Sequence, residues 1–314
     1  MTTALSALIT DYLEFCEIDK NLSQSTIKMY DFYLRDFLEF LKSHLNSESP
    51  TSDDINLDNI QKYRINLNRR ISYKSNEAYK KNTQKTFMVS LRAFLRYLIV
   101  KKNLQTVAPE QIDLGKSEAR VPKFLNNEQL ERIMSVQNLD KRSGVRDRAI
   151  LEVLFSTGLR VSELVKLDRD SINYETREFS VVGKGRKLRT VYLSDEALNW
   201  LERYLSTRSD KFLPLFLRYS GKKMTIDDAD GESLRLTVRS VQRLVKKYVG
   251  RSGVGVDATP HSLRHSMATT LLMNGADLRS VQELLGHSNV STTQIYTHVT
   301  NRRLKEVHDK FLRK

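Results

Sequence analysis

Apolar side chains in the first hundred residues recur at helical spacing. Leu5, Leu8, Ile9, Tyr12 and Leu13 fall at i, i+3, i+4, i+7 and i+8, which stacks them on one face of an amphipathic helix. Tyr30, Leu34, Phe37, Leu38 and Leu41 repeat the pattern behind Ser23 and Ser25, whose hydroxyls suit a helix start. Ile60, Tyr63 and Leu67 make a weaker third stripe. Phe87, Leu91, Phe94, Leu95 and Leu98 make a strong fourth, with Arg92 and Arg96 on another face. No strand-like alternation interrupts these stripes, so residues 1–104 are predicted to form a small helical bundle. Pro109, Gly115 and Pro122 then punctuate residues 105–123, which read as an interdomain linker.

From residue 124 onward the periodicity is mixed. Asn126 and Gln129 have capping-box spacing before an apolar run. Residues 148–156 are helical and stop near Gly158. Residues 178–182 and 188–193 are β-rich runs around Gly183-Lys-Gly-Arg-Lys, a hairpin signal. Thr237 precedes an amphipathic helix over 238–249. Thr259 and Pro260 form an N-cap and first helical residue, and Asn274-Gly275 closes that helix. Asp277 opens a short helix that Gly286 ends, whereas residues 208–235 show no clear period and read as a variable loop. The second domain is therefore expected over 124–314.

The 314 residues are enough for two domains, and 39% hydrophobic with 29% charged content is that of a globular chain rather than a disordered one. Charge changes the picture further. Fifty-two Lys and Arg against 38 Asp and Glu leave +14, a surplus that suits nucleic acid or an anionic membrane face. No apolar run approaches the ~18–20 residues of a spanning helix, and the first residues lack a basic segment followed by an apolar core. Neither a membrane partner nor a secretory leader is expected. Cys16, the single cysteine, excludes an internal disulfide and a cysteine-cluster metal site; it reads as a core filler in a reducing cytoplasm.

The surplus is not evenly spread. Residues 1–59 hold 4 basic and 11 acidic side chains, whereas residues 60–102 hold 12 basic and 1 acidic, net +11. Lys80, Lys81, Lys85, Arg92 and Arg96 lie in that stretch and are candidate DNA-binding residues that would displace counterions from a phosphate backbone. Arg239 and Arg243, on the 238–249 helix, are candidates for base contacts.

Candidate chemistry begins at His261-Ser-Leu-Arg264-His265. It lies in the first turn of a well-signalled helix, where unpaired N–H groups and the helix dipole favour an anion. His261 and Arg264, three apart, present a proton-transfer group and a cation together. His261 and His265 have zinc-like i, i+4 spacing, but no Glu lies between them and no cysteine can help, so no metal is expected and His265 reads as structural. Leu284-Leu-Gly-His287 puts a histidine beyond a helix end, and Ser291-Thr-Thr-Gln-Ile-Tyr296-Thr-His298 puts a tyrosine in a polar segment. Upstream, Ser156-Thr-Gly-Leu-Arg160-Val-Ser-Glu163-Leu places an arginine and a carboxylate on one turn, and Lys184 sits at the hairpin tip. Singly, each has a plain structural explanation: Glu163 as a helix pair partner, Lys184 as a solvated tip, Tyr296 as core, His287 as surface.

In this order and spacing, however, the segments resemble the tyrosine recombinase (integrase) family over essentially the whole chain, and most nearly the Xer subgroup, through Ser291-Thr-Thr-Gln-Ile-Tyr-Thr-His-Val and Thr237-Val-Arg-Ser-Val-Gln. The resemblance implies a mainly α fold with a small β-sheet. An N-terminal helical core-binding (SAM-like) domain would precede a mixed α/β tyrosine-recombinase catalytic domain. It implies a site-specific recombinase in which Tyr296 is the nucleophile, forming a 3′-phosphotyrosyl link, with His261 as general base. Arg160 and Arg264 would hold the nonbridging oxygens. Lys184 would protonate the 5′-oxygen, His287 would bond the scissile phosphate, and Glu163 would support the site by orienting Arg160 or His261. The covalent link conserves bond energy, so no cofactor, ATP or metal is implied. The partners would be double-stranded DNA carrying a specific recombination site and further copies of the chain. It would be a monomer or weak dimer when free and a homo-tetramer on two sites, in a prokaryotic-type, nucleoid-associated cytoplasmic setting. Dimer resolution and mobile-element integration or excision both remain open, as do a non-catalytic DNA-binding regulator and a type IB topoisomerase. In the tail, residues 302–314, Leu304, Val307, Phe311 and Leu312 form a narrow apolar stripe. That stripe would fold onto its own domain or, as the resemblance suggests, dock into a neighbouring protomer as an exchange helix.

Overall fold

In a computed structural model the chain divides into two compact units, residues 1–120 and 121–314. The structure describes residues 3–72, 76–115, 124–183, 188–220 and 229–286. Helices dominate both units, and the described strands form one small sheet. No helix among the described residues is long and apolar enough to cross a membrane.

The first unit is a bundle of α1 (Leu5–Ile18), α2 (Gln24–Leu45), α3 (Leu57–Arg69) and α4 (Lys81–Lys102). All four apolar stripes predicted from the sequence face inward. The core is aromatic: the Tyr12 ring packs on Tyr30, Phe94 and Tyr97 at 5.2–5.7 Å between centroids, with tilted or edge-on geometry. Cys16 is fully buried among these helices, as its spacing predicts. The buried Tyr63 hydroxyl donates to Asp36, which also accepts from Arg70, so α2 and α3 share a polar clasp.

The stretch after residue 104 does not hang free. Leu104, Val107 and Leu114 pack against the bundle core, and Ile112, just after a short 3-10 turn at Pro109–Gln111, is buried in it. Apolar residues spaced too irregularly for a helix stripe still find an apolar surface, which extends this unit through the first half of the segment read as a linker.

In the second unit, α5 (Asn127–Ser135) opens with the expected Asn126–Gln129 capping box. α6 (Arg142–Thr157) starts six residues before the apolar period does. Its first turns are polar in sequence, yet Arg146 and Asp147 are buried as an ion pair that also accepts the Tyr248 hydroxyl, so a polar run is accommodated in the interior. After the one-turn α7 (Val161–Leu164), β1 (Glu178–Val182) and β2 (Leu188–Tyr192) form the antiparallel hairpin, with Phe179 opposite Val191 and Val181 opposite Arg189.

α8 (Asp195–Ser206), capped by Ser194 and burying Ala197, Leu201 and Tyr204, adds a helix to those the sequence analysis predicts. α9 (Val238–Ser252), α10 (Pro260–Met273) and α11 (Leu278–Leu285) begin at Thr237, Thr259 and Asp277 caps as expected. The described parts of 208–235 are pinned rather than loose. The buried Arg208 guanidinium donates to the Pro214, Leu215 and Phe212 carbonyls, and the Leu215 backbone N–H donates to the Leu167 carbonyl.

Because Phe94 is fully buried against Tyr12, Phe94→Ala should destabilise the N-terminal unit by about 3–5 kcal/mol. Urea unfolding followed by tyrosine fluorescence would measure this, and a loss below about 1 kcal/mol would contradict the packing described.

Candidate active site

The site is assembled where three helix ends meet. Gly158 closes α6 with φ 59°, a left-handed conformation that glycine adopts without strain. The chain then reverses into α7, so that Arg160 precedes its first turn. Glu163, three residues on, reaches back to accept the Arg160 backbone N–H at 2.8 Å and Arg160 Nη1 at 2.9 Å. Arg264, on α10, is 4% exposed and donates Nη1 to the Gly158 carbonyl and Nη2 to the Leu285 carbonyl at the end of α11. One guanidinium thereby ties α10 to the ends of α6 and α11, satisfying carbonyls that helix termini leave unpaired.

His261 sits in the first turn of α10 behind the Thr259 capping box. The residue is exposed. Its pKa is nonetheless lowered, first by local desolvation and then by the positive charges of Arg264 and Arg160. At neutral pH it is a neutral imidazole facing two cations, able to accept a proton. His265, one turn further in, is half-buried and also lowered, by burial and then by His261 and Arg264. Among the described residues no group of three or more His, Cys, Asp or Glu side chains could hold a metal.

The structure therefore gathers Arg160, Glu163, His261 and Arg264. Lys184, His287 and Tyr296 lie outside the described residues, as does the 302–314 tail. Their chain neighbours are placed: the hairpin strands flank Lys184, and Gly286, the residue before His287, caps α11 with φ 62°.

Arg189, on β2, was not among the residues that the sequence singled out. Its Nη1 and Nη2 donate to the two Glu163 carboxylate oxygens at 3.0 and 2.8 Å, and both side chains are 7% exposed. The signal available was strand alternation: Arg189 shares a face with Val191 and Leu193, which are buried. Burial alone would raise the Glu163 pKa. The Arg189 hydrogen bonds, the Arg160 N–H and the two positive charges outweigh it and pull it from 4.5 to about 2.

On the first unit, Lys81, Lys85, Arg92 and Arg96 fall within about 60° of arc around α4, with Lys80 at its N-cap. Arg64 and Arg69, from α3, line the same cleft as Lys81 and Lys85 and enlarge the basic face beyond the residues picked from sequence. Arg96 is less available than its charge suggests, since it pairs with Glu110 at 2.8 Å on the surface. Arg239 and Arg243 project from the outer face of α9, opposite the buried Val241, Leu244 and Val245.

A carboxylate held below its ordinary pKa stabilises the fold above that ordinary value, and the contribution is lost as pH falls through the folded pKa. With Glu163 shifted from 4.5 to about 2, the contribution at neutral pH is about 3 kcal/mol. Urea unfolding of the native chain and of Glu163→Gln should differ by that order at pH 7, and the gap should close between pH 4.5 and 2. A gap that stays constant with pH would contradict the charged pairing.

Residues 123–303 match the Phage integrase family and residues 9–102 match the Phage integrase, N-terminal SAM-like domain. The tyrosine recombinase XerD of Listeria innocua is 36% identical over 98% of this chain and 99% of its own. Two solved structures share the fold. One is the XerH site-specific recombinase bound to palindromic difH substrate in a post-cleavage complex (TM-score 0.69, 23% identity, 94% of this chain and 82% of that one). The other is a lambda integrase tetramer bound to a Holliday junction (TM-score 0.69, 17% identity, 93% and 77%). With two family segments that together span most of its length and a relative matched end to end, this chain belongs to the phage integrase family, in its Xer subgroup of tyrosine recombinases.

Proposed function

We propose that this protein is a site-specific DNA recombinase that cuts and rejoins duplex DNA through a 3′-phosphotyrosyl intermediate. The observation that carries the reading is the convergence of Arg160 and Arg264 beside the neutral His261 at a helix N-terminus. Two fixed guanidiniums at the positive end of a helix suit a phosphate gaining negative charge. A neutral imidazole within their electrostatic reach suits proton removal from an attacking hydroxyl.

Tyr296 supplies that hydroxyl and becomes linked to the 3′-phosphate, expelling a 5′-hydroxyl. Lys184 protonates the leaving oxygen and His287 bonds the phosphate. The phosphotyrosyl bond stores the energy of the cleaved linkage, and attack by a 5′-hydroxyl from a second strand completes the exchange. The basic face of α4, with Lys80, Lys81, Lys85, Arg92 and Arg96, grips the phosphate backbone, and Arg239 and Arg243 contact bases. XerH is seen on its difH substrate and lambda integrase as a tetramer on a Holliday junction. By the same logic this chain acts as a homo-tetramer on two DNA sites, its 302–314 tail docking between protomers, in the cytoplasm. Xer-like dimer resolution and integration or excision of a mobile element both use this chemistry.

Tyr296→Phe should bind DNA normally yet never become covalently attached to it, as read on a denaturing gel with a nicked suicide duplex. A persistent covalent complex would overturn the assignment. A plasmid relaxation assay beside a two-site recombination assay separates this reading from a topoisomerase, which would relax DNA without exchanging sites.

Neutralising Lys80, Lys81, Lys85 and Arg92 together should weaken binding to all sequences alike and reduce the slope of log K against log salt by about 3–4. An unchanged slope would remove these side chains from the interface.

A further inference from the structure

The Glu163 carboxylate has about four lone-pair positions, and all four are occupied. One oxygen accepts from Arg160 Nη1 and Arg189 Nη1, the other from the Arg160 backbone N–H and Arg189 Nη2, at 2.8–3.0 Å. Two positive charges thus share one negative charge, and the trio carries a net +1. The two arginines are not equivalent. Arg189 is 7% exposed, meets the carboxylate through both terminal nitrogens and has its Nε buried without a hydrogen-bond partner among the described residues. Its Cδ is so close to Gly286 that a Cβ there would approach it to 2.7 Å. Arg160 is 28% exposed and gives the carboxylate a single side-chain N–H. The buried guanidinium is the tightly held one, and the one beside His261 is held by one edge only.

We propose that Arg189 is a positioning residue that occupies and neutralises Glu163, so that Arg160 stays singly bonded to it and keeps its positive charge for the scissile phosphate. Two physical consequences follow from its removal. The vacated lone pairs would let Arg160 rotate into a bidentate pair with Glu163, the preferred arrangement of guanidinium and carboxylate. The remaining pair would also be neutral overall, and a neutral pair attracts a phosphate far less than a cation does. Arg189 does not touch the reacting atoms; it acts by engaging the carboxylate that would otherwise quench the residue that does. This rests on the recombinase reading above, because only an anion bound at Arg160 makes the charge balance matter.

The test compares four full-length proteins, native, Arg189→Met, Glu163→Gln and the double variant. Each is assayed on a nicked suicide duplex carrying the sequence that the native protein selects from a random-sequence pool. Covalent-complex rate and duplex affinity are measured separately, and thermal melts verify that each variant is folded.

Arg189→Met should lose on the order of 10²-fold in covalent-complex rate while its DNA affinity changes by less than about threefold, since most phosphate contacts lie elsewhere. Adding Glu163→Gln to Arg189→Met should restore the rate to within about tenfold of native. A neutral amide can still accept from Arg160, and the net +1 returns. A merely structural arginine would give the opposite sign, with the double variant as slow as Arg189→Met or slower.

If Arg189→Met cleaves at the native rate, or if the second substitution rescues nothing, the proposal is wrong while the recombinase reading stands. A native protein that forms no covalent complex would overturn the recombinase reading itself, and the proposal with it. Should Arg189→Met not fold, the double variant, which removes both partners of the buried pair, and Arg189→Lys decide the matter. Arg189→Lys keeps the charge without the fork, so a rate closer to native than that of Glu163→Gln alone supports neutralisation, and a slower one overturns it.

Discussion

A buried carboxylate in contact with two arginines is the constraint on which the candidate site depends. Isolated, the buried Glu163 carboxylate would be pushed toward its neutral form. Surrounded by four donors it is held well below its ordinary pKa, and each donor brings an element with it: the Arg160 N–H brings the turn out of α6, and Arg189 brings the second strand of the hairpin. Removing one partner of such a group costs more than the pair is worth, because an uncompensated charge is left in a dry place. A two-stranded sheet is marginal by itself, and here the second strand of the hairpin is fastened by Arg189 to Glu163, in the turn that carries Arg160.

A second tie completes the frame. Arg264 crosses from α10 to the carbonyls at the ends of α6 and α11, so Leu285, two residues before His287, and Gly158, two residues before Arg160, are held by the same guanidinium. Gly158 and Gly286, both left-handed, are what allow those carbonyls to turn toward it. Met267, Leu272, Val281 and Leu285 form a small apolar cluster between α10 and α11, and Arg264 itself is buried, which keeps water from competing for its bonds. Electrostatics at His261 follow from this scaffold: local desolvation first, and then two cations held in place by carbonyls and a carboxylate, depress its pKa.

The two units divide the physics between them. The first offers a broad, solvated basic face on α3 and α4 over an aromatic core, suited to sequence-independent attraction to phosphate. The second concentrates a few charges in a partly dry site, where each is worth more because the surrounding dielectric is low. Arg96 shows the difference: exposed and paired with the exposed Glu110, it contributes little that solvent does not screen.

Much of this was legible in the amino-acid order. The four apolar stripes of the bundle, the Asn126, Thr237, Thr259 and Asp277 caps and the hairpin around Gly183 all express interactions within a few residues, and periodicity and capping report such interactions directly. Tertiary structure alone decided the rest. It buried Arg146 and Asp147 inside α6, pinned residues after 208 with one arginine, packed Ile112 onto the first core and turned Arg189 toward Glu163. In sequence those residues look like solvated charges or linker. Several of the partners that make such burial tolerable lie far along the chain: Glu163 is 26 positions from Arg189, Tyr248 is 101 from Asp147, and Gly158 is 106 from Arg264. A charge is placed in the interior by what surrounds it, and only the folded chain brings those surroundings together.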